Sequence, residues 1–291
     1  MKTVLLIFIL ITSTYAQKYI IDFDGDKRQG RKGRVEYVVD LVDSTEMFAN
    51  DSLVNGVYHK NTYKTAGRME NLETTIDGED IAHKYIVDYF TVKTDTSEIN
   101  LFSRGTEIVF RINDKNRMTY EIENRALTGE EIEILSKVLA IRDTNMPTEN
   151  ELYSPKKPVK VGETWQINKE KYIATFEINE QVDISNLAID GTFRLDAIEK
   201  HKNKKYLKVS GIITLSEMKA KLPSILSKAG MNTKFNYTVL LPMEKSVGRL
   251  KDTCTIEITQ TGEGTVTEND IEYEIKAFNK IIEQTNRKFS R

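Results

Sequence analysis

A single cysteine, Cys254, serves all 291 residues, so the chain cannot close an intrachain disulfide. Histidine is almost as scarce. His59, His83 and His201 stand far apart, with neither an HExxH spacing nor a His-Cys cluster, so nothing marks a zinc centre. No glycine-rich cradle precedes a helix and no GxSxG elbow occurs, which removes the usual signs of phosphate binding and of an esterase nucleophile. Charge of one sign is lacking too. Forty-two Lys and Arg against 44 Asp and Glu leave a formal −2, which points to no nucleic-acid partner and to no anionic membrane.

Long apolar runs are confined to the beginning. Lys2, the run Val4–Ile11 and the small residues of Thr14-Tyr15-Ala16 have the order of a cleavable signal peptide, which predicts Gln17 as the first mature residue and a periplasmic or extracellular location. Beyond it no stretch is long and apolar enough for a transmembrane anchor, and 30% of residues are charged. An outer-membrane barrel is disfavoured as well. Glu, Lys and Arg occupy the alternate strand positions that would face lipid.

What the chain has in abundance is alternation with a period of two, the mark of a strand with one packed and one wet face. Val35, Tyr37, Val39 and Leu41 alternate with polar neighbours, as do Ile108, Phe110 and Ile112 before the turn Asn113–Asn116 and Met118, Tyr120 and Ile122 after it. The second half repeats the style in Tyr172, Ala174, Phe176 and Ile178, then in Phe193, Leu195 and Ala197, and in Leu207 and Val209. It continues in Cys254, Ile256 and Ile258, and in Ile271, Tyr273, Ile275 and Ala277. Polar turns such as His201-Lys202-Asn203-Lys204 between them predict an antiparallel sheet. Cys254 reads as a small core residue on its strand.

Two helices interrupt the strands. Thr128-Gly129-Glu130-Glu131 has the form of a capping box and leads into Ile132, Leu135, Val138 and Leu139, predicting a helix from Thr128 to Ile141. Pro223 in a first turn, the apolar face Leu222, Ile225 and Leu226 and a closing Gly230 predict a shorter one near Leu222–Ala229. Pro147, Pro155 and Pro158 fall in a polar stretch that reads as a connector with nothing to bury. The expected organisation is a signal peptide over 1–16, a β-rich half over 17–142 that ends in a helix, a connector over 143–158 and a second β-rich half over 159–291. Whether the halves are two domains or one sheet stays open at this level.

The acidic groups offer little chemistry. Asp22-Phe23-Asp24-Gly25-Asp26 places its glycine too early for a calcium loop and reads as an acidic turn. Glu130, Glu131 and Glu133 suit a helix N-terminus better than an acid–base pair. The triplets Asn50-Asp51-Ser52 and Asn236-Tyr237-Thr238 fit the glycosylation sequon but occur often by chance. No catalytic residue, metal ligand or cofactor is assigned.

The segment Pro158-Val159-Lys160-Val161-Gly162-Glu163-Thr164-Trp165 resembles the P-V-K-V-G-D-T-W signature of a family of uncharacterised exported bacterial proteins, Bacteroidetes among their sources. Glu163 replaces the more usual Asp. Tyr237–Lys245 is similar in style to the second half of that family. The resemblance implies an envelope protein without an assigned activity. Read from its residues, Gly162 and Glu163 turn the chain and Trp165 opens the next strand by burying its ring, the alternative being a ring that stacks on a ligand.

The expected fold is mainly β, a strongly curved antiparallel sheet or half-barrel with one or two packed helices, similar at fold level to exported lipoprotein carriers. That shape makes a lipid or other apolar small molecule the first candidate partner, bound without catalysis between sheet and helices, with Trp165, Leu222, Ile225 and Leu226 as ligand-binding candidates. The alternatives are a structural or protein-interaction module that binds another envelope protein, and an enzyme of unrecognised class.

Overall fold

A computed structural model describes residues 17–24, 30–75, 79–114, 116–175, 182–183, 185–220, 228–244, 248–268 and 271–290. In chain order the elements are β1 (Lys32–Ala49), β2 (Ser52–Thr74), β3 (Asp80–Lys93), β4 (Glu98–Phe102), β5 (Glu107–Ile112), β6 (Met118–Ile122), α1 (Gly129–Val138) and α2 (Glu149–Tyr153). There follow β7 (Thr164–Gln166), α3 (Lys169–Ala174), β8 (Val182–Asp183), β9 (Ala188–His201), β10 (Lys204–Ala220), β11 (Lys228–Pro242), β12 (Lys251–Glu268) and β13 (Ile271–Ser290).

All the strands join one antiparallel sheet in the order β6-β5-β3-β2-β1-β13-β12-β11-β10-β9-β7, with β4 against β3 and β8 against β10. The path is open, because its ends β6 and β7 do not pair. First and last strands meet at its centre: β1 runs beside β13 from Arg34↔Ser290 to Ala49↔Ile275, so both halves of the chain share one sheet. Two-residue turns with positive φ close its tightest hairpins, Asn50-Asp51 at 47° and 63° and Lys202-Asn203 at 45° and 64°. Such turns match the right-handed twist of the strands they join.

Alternation sorts the two faces. The outer face carries charged and hydroxyl ladders, including Lys280–Glu257 at 2.6 Å and Thr253–Asn286 at 3.1 Å. The inner face carries two separate cores. Val35, Val39, Tyr63, Tyr85, Phe90, Ile108 and Phe110 form the first with Ile134, Leu135 and Val138 of α1. Phe193, Leu195, Val209, Leu215, Val239 and Leu241 form the second with Ile21 and Phe23 of the N-terminal segment, Leu152 of α2 and Tyr172 of α3.

Each core packs an aromatic ring over a strand glycine. A Cβ on Gly211 would run into the Phe193 ring from the adjoining strand, and one on Gly67 would meet the Tyr85 ring at 2.7 Å. Gly211→Ala, which should raise strand propensity, is therefore expected to destabilise the fold by about 1–3 kcal/mol through overpacking. Urea denaturation reads this directly, and an unchanged or higher midpoint would count against a close ring-on-glycine fit.

The helices depart from their expected bounds. The capping box of α1 is present, with Thr128 Oγ1 accepting from Glu131 N at 3.2 Å and Glu131 accepting from Thr128 N at 2.8 Å. The helix ends at Val138, not Ile141, where the Tyr120 hydroxyl donates to Leu139 O at 2.7 Å. Its buried face is Ile134, Leu135 and Val138, while Ile132 is exposed.

Further corrections concern the middle of the chain. Tyr172 and Ala174 lie in α3, a helix capped by Asn168, and not in a strand; Phe176 and Ile178 lie outside the described residues. Most of the expected second helix, with Leu222, Pro223, Ile225 and Leu226, also lies outside them, but Ala229 and Gly230 belong to β11. The stretch 143–158 does bury something. It contains α2 with its own capping box, Thr148 to Glu151, and Leu152 enters the second core.

Candidate functional site

Where the two cores face each other the inner face leaves a cavity of about 420 Å³. Apolar residues of both cores form part of its wall, Phe23 and Leu241 from the second and Tyr37, Met69, Phe110 and Phe289 from the first, while Arg31, Lys32, Arg34, Lys202 and Lys204 line other parts of it. Phe110 is on β5 and Tyr206, also in the wall, is on β10. Seven strand spacings of about 4.8 Å would hold those strands roughly 34 Å apart in a flat sheet, so the sheet curls around the cavity.

A charged cluster closes one side. Arg249 donates to Phe23 O at 2.6 Å, to the Tyr237 hydroxyl at 3.2 Å, to Asp252 at 3.2 Å and to Glu149 of α2. Asp252 is only 3% exposed and also faces Arg287 at 3.8 Å, while the Arg287 guanidinium sits over the Tyr37 ring. Burial opposes the charge on Arg249, but Glu149, Tyr237 and Asp252 more than offset it and hold its pKa well above the usual arginine value. Burial pushes the Tyr37 hydroxyl up to about 12, so it stays protonated.

The opposite wall holds His83 and Asn71. Burial draws the His83 pKa below the ordinary histidine value against the pull of Asp80, which favours the neutral ring, tilted at 34° beside Phe110 with centroids 5.3 Å apart. Among the described residues Asn71 Oδ1 and His83 Nδ1 are buried and meet no hydrogen-bond partner. The arrangement can hold an amphipathic molecule: aromatic and aliphatic walls for its apolar body, fixed polar groups at two sides.

Farther along the sheet the inner face stays apolar but only half-buried. Phe235, Ile256 and Leu41 form one row across β11, β12 and β1, broken by Glu283 on β13, and Ile258 and Ile281 stand in the next row. Cys254 belongs to this face. Burial pushes its thiol up to about 11, which leaves it a weak nucleophile near neutral pH.

Trp165 is not in the cavity wall. It opens β7 after the turn at Gly162, whose φ is +89°, stacks on Phe193 at 6.2 Å and donates from Nε1 to Tyr153 O at 2.6 Å. Leu222, Ile225 and Leu226 lie outside the described residues. Of the acidic turn, Asp22 accepts from Asp24 N and from Asn150 Nδ2, which ties the N-terminal segment to α2. Asp252, Arg249 and Arg287 were missed. Two had a signal: Asp252 shares the parity of Cys254, Ile256 and Ile258, and Arg287 that of Ile281 and Phe289, so each is a charge in an inward-facing row.

Among the described residues no helix is long and apolar enough to cross a membrane, and no three His, Cys, Asp or Glu side chains converge as metal ligands. No protein-family model and no curated protein matches the chain. Solved structures show faint likeness. A lipovitellin structure concerned with lipid–protein interactions aligns with 88% of this chain at 8% identity and a TM-score of 0.28, and the chain spans a quarter (25%) of its length. An outer membrane channel from Pseudomonas putida F1 aligns over 90% of this chain and 96% of its own, at 8% identity and a TM-score of 0.20. OpdQ of Pseudomonas aeruginosa aligns over 87% and 97%, at 6% identity and a TM-score of 0.19. Similarity at this level carries no argument about what the chain does.

Proposed function

We propose that the chain is an exported envelope protein that binds an apolar or lipid-like molecule and releases it unchanged. The observation that supports this best is the cavity between the two cores, whose size of about 420 Å³ falls within the roughly 300–1,000 Å³ of small-molecule sites. Its aromatic and aliphatic walls suit an apolar body, and the half-buried rows around Ile256, Ile258 and Ile281 offer further apolar surface on the same face. The leader-like first sixteen residues and the Pro158–Trp165 signature support the exported location.

Native mass spectrometry of the protein purified from its own host envelope, followed by organic extraction, tests the reading. A stoichiometric apolar species lost on extraction is the expected result. Protein that carries nothing, and that gains no mass and no thermal stability with added phospholipid or fatty acid, would refute it.

A further inference from the structure

The free edge of β2 has a shape that fits a second copy of itself. Residues 52–61 of β2 pair with β1 on one side, but β3 joins the other side only from Thr62↔Lys93 onward. Residues 52–60 are exposed and Asn61 is half-buried, and apolar side chains project from both faces: Leu53 at 59%, Val57 at 40% and Tyr58 at 59% exposure. Soluble proteins usually guard such an edge with charge, proline or a bulge. Here the guards are Lys60, Asp95 on its amide, and an irregularity near the hairpin tip, opposite Met47 and Phe48.

The direction of the edge amides can be read. Lys60 N donates to Asp95 Oδ2 at 3.1 Å, and Asp95 follows β3, so the Lys60 amide points to the free side. Amide direction alternates along a strand, and the register from Asn55 to Asn61 is regular, so Tyr58 and Gly56 point the same way. Around Gly56 there is open space among the described residues, with none of them within 4 Å of where a Cβ would stand. Within this same sheet Gly211 and Gly67 are each roofed by an aromatic ring, Phe193 and Tyr85. Gly56 has no roof, and two residues away Tyr58 is an aromatic ring with no glycine.

We propose that two copies of the chain associate by antiparallel pairing of this edge about a two-fold axis at Val57. That register places each Tyr58 opposite Gly56 of the second copy, with the outward amides of both in bonding position. Lys60 then stands opposite Val54 and His59 opposite Asn55, so no like charges oppose. Pairing uses up the edge on both copies, so assembly stops at the dimer. Nine residues, 53 to 61, run about 30 Å, and one strand's width along that length falls short of the roughly 800 Å² per partner of a standard interface. The dimer is accordingly a weak one, dissociating in the micromolar range.

Sedimentation of the purified protein across that range tests the proposal. The expected result is a monomer–dimer equilibrium that Gly56→Val and Tyr58→Ala each weaken by at least about tenfold. Gly56→Val fills open space in the monomer, so its unfolding midpoint should hold, which separates a lost interface from a lost fold. Val57→Cys should form a disulfide-linked dimer under mild oxidation while the wild type, with only the half-buried Cys254, does not. A wild type that sediments as a monomer throughout, or a Gly56→Val dimer as tight as the wild type, overturns the proposal.

Discussion

Arg249→Ala should lower the stability of the protein by about 3–5 kcal/mol, the cost of removing one partner from a buried ion pair. The reason is what it leaves behind. Asp252 is 3% exposed and has Arg249 as its closest cation at 3.2 Å; the next, Arg287, is 3.8 Å away. Without Arg249, Asp252 keeps a single loose partner, Glu149 loses the guanidinium, and the carbonyl of Phe23 and the hydroxyl of Tyr237 lose a donor.

These groups belong to the N-terminal segment, α2, β11 and β12, so the loss also loosens the docking of the first described residues on the sheet. Arg249→Lys should recover only part of the deficit, because one ammonium cannot reproduce the forked contacts to a carbonyl, two carboxylates and a phenol. Thermal and urea unfolding measure the series. A loss below about 1 kcal/mol for the alanine variant would mean that water reaches the cluster and screens it.

Phe193→Ala is expected to cost a similar amount, about 3–5 kcal/mol, by a different mechanism. Phe193 is 1% exposed and its ring lies 5.2 Å from that of Tyr153, 5.6 Å from Phe23, 6.1 Å from Tyr237 and 6.2 Å from Trp165. It joins α2, the N-terminal segment, β7 and β11 through one side chain, and truncation opens a void that those elements cannot all close. Because the same ring roofs Gly211, the penalty of Gly211→Ala should largely vanish in the Phe193→Ala background. Additive losses in that double-mutant cycle would show that the glycine is required for another reason.

The strands were legible because burial on one face imprints a period of two. Val35 to Leu41, Ile108 to Ile112 and Cys254 to Ile258 each form the strand that their alternation predicts. The α1 cap was legible because a capping box is local: Thr128 and Glu131 satisfy amides within one turn of themselves. Around Tyr172 the same reasoning failed. Four alternating positions fit a strand, but the Asn168 cap and the contact of Tyr172 with the second core favour a single helical turn and a half. The polar stretch 143–158 hid α2 because five residues are too few to display a helical period.

Trp165 drew attention as the one tryptophan, and its turn and strand were foreseen, but the partner of its Nε1 is a carbonyl at the end of α2 that no local pattern names. The cavity was further from reach. Arg249, Asp252, Arg287, Tyr37 and His83 are scattered over two hundred residues, and their approach depends on the pairing of β1 with β13 and on the curl of the sheet.

By itself, then, the sequence determined that the chain is mainly β and, for stretches such as Val35–Leu41, Ile108–Ile112 and Cys254–Ile258, which residues form strands and which side turns inward, because those properties arise between near neighbours. Only the tertiary structure decided that both halves share one open sheet, that its two cores leave a cavity between them and that β2 ends in a bare edge. Strand order and curvature arise from pairings across as many as 256 residues, as between Arg34 and Ser290, and a period of two carries no information about which strand lies beside which.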